Sequence, residues 1–330
     1  MIVREMLNEW RRAFPEDELF VWCHRSDAET VRASVDPSEI VSLKTPNHGL
    51  ANLFEVPFRL RNMKLDGILA QNFAPLRSAA TVLILDVLFQ SNPEWFTPAE
   101  RAYLALIPMS AKQAATVLTI SENELARIQR FNPHLASVRS VGLSISSALM
   151  SAEPVRPSAV PAGSDFWLSV GRLNVRKNLT RTLEASAGSL AVTKSTPLYV
   201  VGEPNGRSEL LPKVVREAVQ DERIVFLGGV SDPELVWLYK NTRGLIYMSL
   251  DEGFGLPPVE AAHFGCPVIV SDRPVFRETM SNYPLYADPL SISSIRDSID
   301  YLDSRQEVSP AFLGSGWSDV VRRMREAVLL

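Results

Sequence analysis

The sequence predicts an α/β protein made of two doubly wound domains, and three observations point that way. The chain has 330 residues, more than one average domain and comfortable for two. After residue 160, short apolar runs alternate with helical patterns at regular intervals. These runs are apolar throughout and do not alternate with polar residues, which is the habit of parallel strands buried on both faces.

In the second half the elements follow in order. "DFWLSVG" (165–171) is a strand ending in glycine, and "KNLTRTLEASAGSL" after it is helical. "PLYVVG" (197–202) is a second strand, followed by a helix over about 207–219. "RIVFLGGV" (223–230) is a third, and "SDPELVWLYKNT" opens a helix with Ser and Asp before proline, a good cap and first turn. "GLIYMS" (244–249) and "CPVIVS" (266–271) are the fourth and fifth strands, with "PPVEAAHFG" as the helix between them. The first half is less regular. "MIVREMLNEWRRAF" is an amphipathic helix, with Ile2, Met6, Leu7, Trp10 and Phe14 at roughly helical spacing. "LFVWCH" (19–24), "DGILAQN" (66–72), "TVLILD" (81–86) and "TVLTIS" (116–121) read as strands. "ISENELARIQR" starts a helix with a serine cap and a glutamate three residues on, a capping box. Residues 141–164 are rich in Ser, Ala and Pro and read as a linker.

Composition excludes several classes. Charged residues make up 22% and the net charge is −4, spread evenly: residues 1–150 hold 15 basic and 16 acidic side chains. A nucleic-acid binder should show a basic surplus. The two cysteines, Cys23 and Cys266, are far apart and sit in no motif, so a reducing compartment fits better than a disulfide framework. No run of 18 apolar residues occurs, and the charged N-terminus does not read as a secretion signal. His24, His48, His134 and His263 form no metal cluster by spacing, and no Asp-x-Asp appears, so no obligatory metal is expected. No Gly-x-Gly-x-x-Gly follows a strand, which counts against a nicotinamide dehydrogenase.

Ligands of open α/β sheets bind beyond the carboxyl ends of the strands, so the loops there matter most. Three are unusual. In "VGRLNVRKNL" (170–179) Gly171 permits a tight turn, Arg172 lies beside that strand end and Lys177 stands at the start of the next helix. Two cations beside a helix start suit phosphate, although a solvated basic turn has the same composition. In "DEGFGLPPVEAAHFGCPVIVSD" (251–272) Gly253 and Gly255 allow close backbone approach, and Pro257 and Pro258 suit a helix's first turn. Glu252 and Glu260 could accept hydrogen bonds from sugar hydroxyls, or Glu260 could simply favour a helix N-terminus. A glutamate pair eight apart arises about once by chance in a chain this long, so the specificity lies in what stands between the two. "FLGGVSD" (226–232) could line a flat base with backbone groups or be a plain turn. "PFRLRNMK" (57–64), with Arg59, Arg61 and Lys64, is either a solvated face or a contact for anionic lipid.

Together "FWLSVGRLNVRKNL", "PLYVVG" and the run from "IVFLGGVSDPELVW" to "EGFGLPPVEAAHFGCPVIVSD" resemble the donor-binding half of the retaining glycosyltransferases of family 4. These are nucleotide-sugar enzymes with the GT-B fold. The resemblance is dense over about residues 165–290, and "EGFGLPPVEA" is especially similar to bacterial mannosyltransferases of surface polysaccharide assembly. "DVLFQSNPEWFTPAERAYL" and "VLTISENELARI" are more weakly similar to the family's acceptor domain.

The resemblance implies two Rossmann-like domains facing across a cleft: an acceptor-side domain over 1–145, a linker over 146–164 and a donor domain over 165–310. A C-terminal helix over 311–330 would pack back on the first domain. It implies retaining transfer of a hexose from a nucleoside-diphosphate sugar to a glycan or lipid-linked acceptor. Mannose from GDP-mannose ranks first, with UDP-sugars and dTDP-rhamnose behind it. Arg172, Lys177 and Glu252 take the catalytic roles: the two cations at the diphosphate, the carboxylate near the transferred sugar. Gly171, Gly229, Val230, Gly253, Phe254, Gly255, Leu256 and Glu260 take donor-binding roles, with Gly229 and Val230 at the base and Glu260 at the ribose. No cofactor is implied beyond the substrate. The expected location is the cytoplasm, or the inner face of the cell membrane. Two differences stand out. Family members usually begin with a strand and a glycine-rich loop, whereas this chain begins at the helix that follows them. Leu85 stands before Asp86 where the family often has histidine. These differences motivate an alternative: a degenerate protein of the same fold that binds nucleotide sugars or a partner. A related nucleotide-sugar epimerase is a third reading.

Overall fold

The computed structural model describes residues 2–24, 27–28, 31, 39–135, 137–171, 175–202, 211–304 and 316–330. The chain forms two units: Met1–Ser146 with Ser315–Leu330, and Ser147–Gly314.

In the first unit, β1 (Phe20–His24) and β2 (Glu39–Leu43) form a parallel pair. A second parallel sheet runs β3 (Leu69–Gln71), β4 (Thr81–Leu83), β5 (Thr116–Thr119) and β6 (Val138–Ser140) in that order. Its core gathers Val82, Ile84, Val87, Ile107, Val117 and Ile128. The helix Trp317–Val328 buries Trp317, Val320, Val321, Met324 and Ala327, a helical spacing that gives it one apolar face. It lies against the helix Ile2–Ala13, which buries Met6 and Trp10. Arg325 forks onto both carboxylate oxygens of Asp17 at 2.7 Å, and Trp317 Nε1 donates to the Ile145 carbonyl at 2.7 Å. The serine cap of the helix Glu122–Phe131 is present, with Ser121 Oγ accepting from Glu124 N at 3.0 Å. Glu124 itself is fully buried and takes the Val87 N–H at 2.7 Å, so it also ties down the loop after β4.

In the second unit β7 (Trp167–Val170), β8 (Leu198–Val201), β9 (Ile224–Gly228), β10 (Gly244–Tyr247), β11 (Val268–Ser271) and β12 (Leu285–Ala287) make one all-parallel sheet. The strand order is β12-β11-β10-β7-β8-β9. Every residue of β8, β10 and β11 is buried, which is why these segments read as unbroken apolar runs. Helices Leu179–Ala187, Asp232–Asn241 and Leu256–His263 connect successive parallel strands. Ser231 and Glu234 close a capping box on the second of these. The helix sought over 207–219 runs Lys213–Gln220, with 203–210 outside the described residues. Residues 147–164, read from composition as a linker, group with this unit: Val155 N donates to the Pro233 carbonyl at 3.0 Å and Val160 is fully buried.

The strand order reverses between β7 and β10, the first and fourth strands of the sheet. Their carboxyl ends open the crevice where such sheets receive ligands.

Candidate functional site

Two loops meet at that reversal. The first leaves β7 at Gly171, whose φ of 149° suits a residue without a Cβ. Arg172, a predicted phosphate contact, falls in 172–174, outside the described residues. The chain then makes a 3₁₀ turn, Val175–Lys177, and enters the helix through Asn178 in the left-handed region, φ 55°. Asn178 is buried and held by Nδ2 donating to the Pro289 carbonyl at 2.7 Å. Lys177 therefore precedes the helix by a turn and is not part of it.

The second loop leaves β10 as Met248-Ser249-Leu250-Asp251-Glu252. Arg176 joins the two loops through its backbone: its carbonyl accepts from Leu250 N at 2.9 Å and from Ser249 Oγ at 3.2 Å. Ser271 Oγ, at the end of β11, donates to the Ser249 carbonyl at 2.7 Å. The loop is thus fixed from both neighbouring strands before it reaches Glu252.

Glu252 is only 6% exposed and is surrounded by donors. Its Oε1 accepts from Lys177 Nζ at 2.6 Å, Ser249 Oγ at 2.6 Å and Tyr247 Oη at 2.9 Å. Its Oε2 accepts from Arg176 Nη1 at 2.7 Å. Burial pushes the carboxyl's pKa up, but the attraction of Lys177 and Arg176 outweighs it and holds the group at about 2. The Lys177 ammonium also bonds to Tyr247 Oη and sits 4.8 Å from the centre of its ring. Two cations thus share this one carboxylate. Beside it Gly171, Lys177, Leu179, Val200, Tyr247 and Met248 line a small hollow.

Past Glu252 the chain turns at Gly255, φ 85°, and starts the helix Leu256–His263 with Pro257 and Pro258 in the first turn. A Cβ on Gly255 would lie 2.5 Å from Phe276 Cε1, so only glycine fits this corner. Gly253, Phe254, Gly255 and Leu256 thus follow the buried carboxylate directly, and with Pro257 and Pro258 next in the helix, Leu256 carries the one N–H of its first three residues.

Glu260 is the fifth residue of that helix, past the first turn where it was expected, and it points inward. It is 8% exposed and accepts from Tyr239 Oη at 3.1 Å. Burial raises its pKa to about 7, against the lowering effect of the Tyr239 hydrogen bond. Gly229 and Val230 follow β9 at the same edge of the sheet, with β8 between them and β7. The structure therefore brings Gly171, Lys177, Glu252 and the Gly253–Leu256 turn together, and sets Glu260 beneath and Gly229–Val230 to one side. Sequence reasoning missed Arg176, Tyr247, Ser249 and Tyr239. The signal for two of them was present: Tyr247 and Ser249 stand two apart, the spacing that puts side chains on one face of an extended chain. Among the described residues no group of three or more His, Cys, Asp or Glu is placed to hold a metal ion. Among them, too, no helix is long and apolar enough to cross a membrane.

Residues 153–310 match the family described as Glycosyl transferases group 1. The O-antigen chain mannosyltransferase RfbU of Salmonella typhimurium is 28% identical over 242 residues, 72% of this chain and 65% of that protein. The serotype-specific mannosyltransferase WbdA of Escherichia coli is 31% identical over 248 residues, 67% of this chain and 29% of that protein. The chain thus spans less than two thirds of each of these relatives. Sucrose-phosphate synthase of Thermosynechococcus elongatus superposes with a TM-score of 0.65 at 17% identity, covering 99% of this chain and 88% of that one. The fold is GT-B.

Proposed function

We propose that this chain, whose residues 153–310 match the group 1 glycosyl transferases, moves a hexose from a nucleoside diphosphate to a hydroxyl group. We assign the sugar as mannose and the first donor to test as GDP-mannose, because the relatives above are named mannosyltransferases. The acceptor is a glycan or lipid-linked glycan, and the anomeric configuration is kept. One observation supports the reading most: a cation-rich cluster, Arg176 and Lys177 with Glu252, adjoins the Gly253–Leu256 turn at the strand-order reversal.

The hard step is breaking the sugar–phosphate bond. Negative charge grows on the leaving diphosphate and positive charge on the sugar ring. Lys177, a preorganised cation, and the positive end of the helix Leu256–His263 would favour the first. Glu252, held ionised at the end of the loop, would face the sugar. No side chain of the cluster is a free nucleophile, so attack from the face of the departing phosphate, assisted by that phosphate, accounts for retention. Gly229 and Val230 would border the base. Glu260 would reach the ribose only by exchanging its Tyr239 partner for a sugar hydroxyl.

The test is a thermal-shift screen against nucleotide sugars, then incubation of the best binder with labelled donor and a lipid-linked glycan acceptor. We expect GDP-mannose to raise the melting temperature and label to pass to the acceptor in the donor's own anomeric form. Stabilisation without transfer would leave a donor-binding protein and not an enzyme. A changed sugar in the absence of acceptor would indicate an epimerase. No stabilisation by any nucleotide sugar would overturn the proposal.

A further inference from the structure

Tyr247 is the last residue of β10, where the two site loops converge. It is buried, and its hydroxyl serves two partners at once. It donates to Glu252 Oε1 at 2.9 Å and accepts from Lys177 Nζ. The ammonium also lies 4.8 Å from the centre of the Tyr247 ring, whose face attracts a cation. The stem of Lys177 is guided by Gly171: a Cβ there would lie 3.5 Å from both Cδ and Cε. Lys177 therefore runs past Gly171 and ends on Tyr247.

The ring that carries the hydroxyl is itself braced. Phe276 meets it edge to face, with centres 5.8 Å apart and planes at 86°. Phe276 is fully buried, and its Cε1 lies 2.5 Å from where a Cβ on Gly255 would stand. Packing through Tyr247, Phe276 and Gly255 thus connects the end of Lys177 to the turn ahead of the helix Leu256–His263.

The two acceptors, Glu252 and Tyr247, differ in kind. Glu252 is a carboxylate, so an entering diphosphate competes with it for the ammonium. Tyr247 is neutral: burial and the neighbouring Glu252 push its phenol further above the ordinary pKa, and the hydroxyl keeps its proton. A neutral partner can retain the ammonium while its charged partner is exchanged. We propose that Tyr247 is a positioning residue, the fixed point about which Lys177 passes from Glu252 to the diphosphate of the donor. This rests on the transfer reading above and gives Tyr247 no contact with the donor itself.

Steady-state transfer is compared for the wild type, Y247F, K177A and Y247F/K177A. Phenylalanine keeps the ring and its contact with Phe276 and removes the hydroxyl alone. Y247F should lower kcat about 10–100-fold, the worth of one hydrogen bond to a charged group, with the KM for donor changed less than about threefold. With Lys177 gone the hydroxyl has no ammonium to place, so Y247F/K177A should match K177A within about twofold. The melting temperature of Y247F should stay within a few degrees of the wild type's. The proposal fails if Y247F turns over as the wild type does, or raises KM and leaves kcat. It fails if the loss is undiminished without Lys177, since the hydroxyl would then act through Glu252, or if Y247F is unfolded at the assay temperature, since it would then serve the fold. An inactive wild type would overturn the transfer reading and this role together, whereas an active wild type with an equally active Y247F overturns the role alone.

Discussion

Lys177 Nζ lies 2.6 Å from Glu252 Oε1, so a cation from the loop after β7 is held by a carboxylate from the loop after β10. The two residues are 75 positions apart in sequence, and only the crossing of strand order brings them together. The pairing gives Lys177 a resting place that an entering diphosphate must compete for. Glu252 would not be stranded by that exchange, because Arg176, Tyr247 and Ser249 also donate to it.

Lys177→Ala should therefore remove function while leaving the fold. Loss of one preorganised cation at the leaving group is expected to lower kcat about 10²–10³-fold, roughly 3–4 kcal/mol. Glu252 keeps three donors, so the melting temperature should fall by a few degrees at most. Steady-state kinetics beside a thermal melt checks both halves. Turnover like the wild type's in a well-folded variant would remove Lys177 from the proposed chemistry.

Glu252 should make stability depend on acid. Its pKa falls from the ordinary 4.5 to about 2 on folding, so the folded state binds fewer protons than the unfolded state between those values. The stabilisation is full above 4.5, amounts to about 3 kcal/mol, and is lost as pH drops toward about 2. Glu252→Gln removes this titration. Urea unfolding should show the wild type more stable at neutral pH and the gap closing in acid. A gap independent of pH would mean the carboxylate is not held as described.

Glu260 should act in the opposite direction. Burial raises its pKa from 4.5 to about 7, so the folded state holds a proton that the unfolded chain has released. Its contribution is present below 4.5 and lost as pH rises through about 7, leaving a penalty of about 3 kcal/mol in base. Glu260→Gln is neutral throughout and should be more stable than the wild type above pH 7, with the two converging in mild acid. Melting curves across that range decide it, and a variant less stable in base would refute the assignment.

These opposite signs were not legible in the sequence, although both glutamates were. Glu252 and Glu260 stood out because glycine and proline between them mark a strand-to-helix corner. Their environments come from partners far along the chain: Lys177 and Arg176 for one, and Tyr239, 21 positions upstream, for the other. Arg176 was hidden because a basic doublet in a turn looks solvated until its neighbour strand is known. Strands β7, β8, β10 and β11 were readable because each is a continuous, buried apolar run, and β9 because its sequence is as apolar although it lies half-buried at the sheet edge. β2, β6 and β12 were not, since such short edge segments as Val138–Ser140 mix polar and apolar residues and carry no period. Phe54 and Phe58 look like core residues in sequence, and only their exposure in the folded chain separates them from Val56.

Gly255 should be the least replaceable glycine of the second unit, and Gly228 provides the control. Both lie in the left-handed region, with φ of 85° and 73°, so alanine at either costs about 1–2 kcal/mol in backbone strain. At Gly228 a Cβ would meet nothing within 4 Å, and the strain is the whole effect. At Gly255 it would lie 2.5 Å from Cε1 of Phe276, a fully buried ring with no room to withdraw. Overpacking there adds about 1–3 kcal/mol. It also displaces the first turn of the helix Leu256–His263, which adjoins the proposed donor site. Gly255→Ala should thus melt several degrees below Gly228→Ala and lose the stabilisation given by nucleotide sugar. Equal melting temperatures for the two variants would show that Phe276 yields, and that the corner does not depend on glycine for lack of space.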